Sequence, residues 1–82
     1  MVKKRRSKKH VKLFEWTKTK PDYPCLFITR DNAFHPDYYN YAIWEIVFSE
    51  DEGYNMLLDG EGYEWGALED FVADEYMIIE KH

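Results

Sequence analysis

The chain has a single cysteine, Cys25, in 82 residues, which excludes an intramolecular disulfide. A domain this short normally needs such a staple to hold a modest core. Its absence points to a reducing, thiol-tolerant compartment, for which the cytoplasm fits best. No apolar run reaches the ~18–20 residues that span a bilayer, and the basic start from Met1 to Lys12 leads into no secretion-type apolar stretch. No membrane partner is expected. The three histidines stand far apart, at 10, 35 and 82, so none of the clustering that zinc ligands require is present. Internal repeats and heptads are absent too. The most informative gap is in charge: between Asp31 and Glu80 there are fourteen Asp and Glu and not one Lys or Arg.

That gap makes the net charge of −5 a difference between two opposed halves. Residues 1 to 30 sum to +8 and residues 31 to 82 to −13. Ordinary surfaces intersperse both signs to limit self-repulsion. A body of one sign instead attracts cationic partners over about a Debye length.

The staple is replaced by aromatic bulk, since fifteen residues are Phe, Tyr or Trp and each can bury roughly 150–250 Å². In so short a domain most of Trp16, Trp44, Trp65 and the seven tyrosines are expected in the core. Residues 1 to 10 lack apolar periodicity and repel one another, the signature of a disordered basic arm, and a single β-rich domain is read from 11 to 82. Val11 to Trp16 suits a first strand, Lys18 to Pro24 a proline-containing loop, and Cys25 to Thr29 a second strand. Arg30-Asp31-Asn32 is expected to open a turn, prolonged by His35-Pro36-Asp37. Tyr38 to Ser49 is the strongest β signal and is expected to be central. Ala42, Trp44, Ile46 and Phe48 form one of its faces, and Tyr39, Tyr41, Ile43 and Val47 the other, which implies cover on both faces or a sheet curled into a barrel. Hairpins follow at Ser49–Gly53, into a strand from Tyr54 to Leu58, and at Asp59-Gly60-Glu61-Gly62, into Tyr63-Glu64-Trp65. Leu68, Phe71 and Val72 stand at i, i+3 and i+4, so one or two helical turns are expected before a last strand at Tyr76–Ile79. The fold class is mainly β with one short helix: a small antiparallel meander or SH3-like barrel of about five to six strands.

No catalytic constellation and no cofactor site emerges. Asp59-x-Glu61-x-Tyr63, with Asp70 at the twelfth place, has the outline of a calcium loop, but the sixth place holds Glu64 where the sharp turn needs Gly, and a polar hairpin turn is the better reading. Cys25 lies in an apolar strand with no histidine nearby and reads as a small buried hydrophobe. His35 precedes Pro36 with no nucleophile or orienting partner in view. Trp16, Trp44 and Trp65 have the chemistry to stack on bases, yet the body lacks the cations that accompany such stacking.

Two charged features remain. The arm residues Lys3, Lys4, Arg5, Arg6, Lys8 and Lys9 have the charge to neutralise several phosphates of DNA or RNA, or to fold back on the acidic body. The carboxylates of Glu50, Asp51, Glu52, Asp59, Glu61, Glu64, Glu69, Asp70, Asp74 and Glu75 offer a surface to a basic protein.

Phe14-Glu15-Trp16-Thr17, followed by Lys20-Pro21-x-Tyr23-Pro24-Cys25-Leu26-Phe27, resembles the start of short phage and prophage proteins of unknown function that open with a Trp-containing strand, a proline loop and an apolar strand. The match spans about a third of the chain. The resemblance implies a small accessory or host-directed protein and brings no catalytic residues. Three functions are thus expected as alternatives: a non-enzymatic acidic protein that inhibits a nucleic-acid-handling or defence protein by imitating nucleic acid; an accessory protein held on nucleic acid by its basic arm; and an antitoxin or immunity protein for a basic nuclease.

Overall fold

The computed structural model describes residues 12–32 and 39–82. The basic arm, the boundary placed near His10, and His35 lie outside them. Six strands form one antiparallel sheet: β1 (Trp16–Thr17), β2 (Cys25–Asn32), β3 (Tyr39–Ser49), β4 (Tyr54–Asp59), β5 (Glu64–Ala67) and β6 (Glu75–Lys81). Their spatial order is β1-β6-β2-β3-β4-β5. The run from β2 to β5 is a meander, and β6 returns to insert between β1 and β2. The sheet is open, so the barrel alternative does not form.

Alternation along the strands builds the core on one face. Register sets Cys25 opposite Ile46, Phe27 opposite Trp44, and Ile46 opposite Leu57. Cys25, Phe27, Ile46 and Leu57 are fully buried, with Tyr76 and Ile78 of β6 beside them. The one buried polar side chain among the described residues, Thr29, accepts a 2.9 Å hydrogen bond from Trp44 Nε1, which satisfies both groups. Burial disfavours the charged thiolate of Cys25 and pushes its pKa up to about 12, as a small interior hydrophobe requires.

Among the described residues, loops rather than a second layer cover this face. Pro21 is buried in the loop before β2. From the other side come Leu68 and Phe71, in and just after a 3₁₀ turn at Leu68–Asp70. The Phe71 ring packs 4.7 Å from Trp44 and 6.4 Å from Phe27. Lys20 joins the two covers: its Nζ donates to the carbonyls of Leu68, at 2.9 Å, and Phe71, at 2.7 Å.

Several expectations are corrected. The first strand shrinks to Trp16–Thr17 because Phe14 takes φ 62°, a left-handed conformation incompatible with extended backbone, while its N–H donates to the Ile78 carbonyl. Arg30-Asp31-Asn32 continues β2 instead of turning. Arg30 pairs with Glu75 across the sheet, Asp31 Oδ1 accepts the N–H of Asp74, and Asp74 Oδ2 accepts the N–H of Asn32. The expected helix is a single 3₁₀ turn. Three residues per turn align Leu68 with Phe71 but rotate the next position away, and Val72 is 81 % exposed. The second face of β3 is not covered throughout: Tyr41 and Ile43 are exposed. Nor are most rings interior: among the described side chains only Phe27, Phe71 and Tyr76 are buried, while Phe14, Tyr41, Phe48, Tyr54, Tyr63 and Trp65 are exposed. Phe14 and Tyr63 lie in turns, Phe48 lies past the loop cover, and Tyr41 lies on the other face of the sheet.

Two measurements test this packing. Cys25 should resist a thiol reagent at pH 8 and react only as fast as the sheet opens, as followed by mass spectrometry; rapid labelling would contradict its burial. Lys20→Met should cost about 1.5–3 kcal/mol in denaturant melts, because it strips two carbonyls of a charged donor.

Candidate functional site

The turns that carry the acidic residues are held by their own side chains. In the β3–β4 turn, Gly53 at φ 81° lets its N–H reach the Ser49 carbonyl at 2.8 Å, and Ser49 Oγ accepts the N–H of Glu52. Glu50, Asp51 and Glu52 are thereby held on an exposed tip. In the β4–β5 turn, Asp59 Oδ1 accepts the N–H groups of Glu61 and Tyr63, both at 2.9 Å. The calcium-like outline is therefore a side-chain-bonded turn whose first carboxylate is occupied by backbone. Among the described residues no group of three or more His, Cys, Asp or Glu is placed to hold a metal ion.

The antiparallel order sorts the ten acidic candidates by end. β3 delivers Glu50, Asp51 and Glu52 to one end of the sheet. β5 runs back alongside β4, with Ala67 opposite Met56, and delivers Glu69 and Asp70 of the 3₁₀ turn to that same end. Asp59, Glu61, Asp74 and Glu75 fall at the opposite end, and Glu64 begins the edge strand.

The two ends differ in what occupies their carboxylates. At the Asp74 end, Asp59 and Asp74 accept backbone N–H groups, and Glu75 pairs with Arg30 and, at 3.8 Å, with Lys18. The Arg30 guanidinium also lies 4.1 Å over the Trp16 ring. These three acids hold the sheet together. At the Glu52 end, Glu50, Asp51, Glu69 and Asp70 are exposed and have no ion pair among the described residues. The nearby cation, Lys20, spends its ammonium on two carbonyls.

Tyr54 senses this concentration of charge. Its hydroxyl donates to Glu52 Oε1 at 3.3 Å. The Glu52 carboxylate is the main cause of a phenol pKa raised above the ordinary 10.0, with slight desolvation, the Glu52 hydrogen bond, and the more distant Glu64 and Asp70 adding to it.

Beside this tip a groove of about 460 Å³ runs between the end of the β3–β4 hairpin and the loop before β2. Phe48, Asn55 and Leu68 line it together with Glu69, Asp22 and Lys20. Phe48 shares the core face of β3 with Ile46, but lies past the loop cover and stays 54 % exposed. Asn55 Nδ2 donates to the Asp22 carbonyl at 3.1 Å and so ties hairpin to loop. Neither Phe48 nor Lys20 stands out in the sequence as part of a site. Phe48 reads as one more inward ring, its place beside the polar turn being the only cue, and the role of Lys20 depends on loop packing.

No protein-family model, no curated protein and no solved structure matches the chain.

The coupling around Tyr54 is open to measurement. Glu52→Gln should bring the Tyr54 phenol pKa down toward 10.0, since the main charge opposing phenolate formation is removed; ultraviolet titration against Tyr54→Phe isolates the residue. An unchanged midpoint would mean that Glu52 does not face Tyr54 in solution.

Proposed function

We propose that the chain is a non-enzymatic acidic binding protein that captures a basic protein surface through the Glu50–Glu52 tip and the adjoining Glu69 and Asp70. The observation that carries this reading is the gathering of five exposed acidic residues at one end of the sheet, where the neighbouring ammonium of Lys20 is already engaged. Charges of one sign at one end of the sheet speed encounter with a cationic partner and select against acidic ones. The partner that suits such a surface is a protein whose own ligand is nucleic acid, nuclease or defence factor, with carboxylates standing in for phosphates. Occupation of that partner's basic face would inhibit it. The tip is the turn of a hairpin between two interior strands, held by the bonds of Gly53 and Glu52 to Ser49, so little ordering entropy is lost on binding.

The test is affinity capture from lysate, with and without nuclease, using three chains: the full chain, a chain lacking residues 1 to 10, and Glu50→Lys/Asp51→Lys/Glu52→Lys. A partner should be kept by the first two and weakened at least about tenfold by the third, with affinity falling as salt rises. Equal capture by the reversed tip would refute the proposal. Capture that disappears with nuclease treatment or with residues 1 to 10 would assign binding to the basic arm and nucleic acid instead.

A further inference from the structure

Carboxylates alone attract any cation, but the groove beside the tip adds shape and an aromatic wall. We infer that this groove receives an arginine side chain from the basic partner, an inference that rests on the function proposed above. Phe48 presents an exposed ring and Leu68 a buried apolar side chain, and the lining also includes two exposed acidic residues, Glu69 and Asp22. This combination suits arginine better than lysine. A guanidinium is planar and weakly hydrated, stacks on ring faces, and keeps in-plane donors for carboxylates, whereas an ammonium is a strongly hydrated point charge.

The chain builds the same combination once for itself, where Arg30 lies over Trp16 at 4.1 Å and bonds Glu75. The groove has the aromatic and acidic parts of that arrangement without an arginine of its own. Lys20 does not take the place, because its Nζ is directed at the Leu68 and Phe71 carbonyls. The Asn55–Asp22 hydrogen bond holds the two walls at a set separation.

The experiment is a nitrogen-15 NMR titration of the full chain, at low salt, with a short peptide alternating Arg and Gly and with its Lys counterpart. The Arg peptide should bind more tightly than the Lys peptide, with the largest shifts at Phe48, Leu68, Glu69 and the Asn55 side-chain amide. Phe48→Ala should weaken the Arg peptide about threefold or more and erase its advantage over Lys. Because Phe48 is half exposed, this variant should keep the wild-type spectrum elsewhere, which separates lost contact from lost fold. Equal affinity of the two peptides, an unaffected Phe48→Ala, or shifts centred on residues 59–64 would overturn the groove assignment. Shifts confined to residues 50–52 would overturn it as well, yet leave the acidic-tip proposal standing. Failure of both peptides to bind would overturn both.

Discussion

Among the described residues, one apolar face of the sheet is covered without a second layer, and the rest of the fold depends on how that is done. A helix or another sheet would do this with its backbone hydrogen bonds satisfied internally. Here irregular chain does it, and every carbonyl such chain turns inward must find a donor. Lys20 meets that demand: one ammonium, held at the inner side of the loop before β2, takes the carbonyls of Leu68 and Phe71 and so fixes the ring that roofs Phe27 and Trp44. The aromatic cluster, the 3₁₀ turn and the position of Glu69 and Asp70 follow from that junction.

The same junction shapes the electrostatics. The body has few cations, and the structure uses them on specific acceptors: Lys20 on carbonyls, Arg30 on Glu75 and Trp16. Carboxylates divide accordingly. Those opposite Arg30, or bonded to turn and strand amides, act as structural acceptors, and those on the tip and the 3₁₀ turn are left to solvent. Acidic composition is thus a poor guide to binding surface, since Asp59, Asp74 and Glu75 carry the same charge as Glu50 and do different work.

How far the sequence discloses this depends on the range of the interaction. Alternating faces located β3, short apolar runs located β2 and β6, and Gly53 and the Asp59-Gly60 pair marked the two hairpins that bound β4, because these signals are local. Trp65 illustrates a longer-range effect. It is the extra residue of a bulge, between Gly66 opposite Leu57 and Glu64 opposite Leu58, and its ring reaches Phe71 at 5.3 Å; alternation alone gives no notice of that. Phe14 fails as a strand residue for a tertiary reason, its N–H being claimed by Ile78. For the candidate site, the acidic residues were legible as a set and their sorting into two ends was not. Sorting requires the antiparallel order, and the groove requires knowing that the cover stops short of Phe48.

The insertion of β6 between β1 and β2 also sets the order in which the molecule can be made. The β2–β3–β4–β5 meander joins neighbours in sequence and can zip by short loop closures, but one side of β2 then stays an unpaired edge. Its partner lies about fifty residues further along, with Phe27 opposite Ile78. Closing so distant a pair is slow relative to hairpin formation. During synthesis the apolar run Cys25–Ile28 therefore remains a naked edge until residues 75–81 have left the ribosome. That interval is when the nascent chain is most exposed to strand-to-strand aggregation, and the unbroken negative charge of the following segment is already in place to keep copies apart.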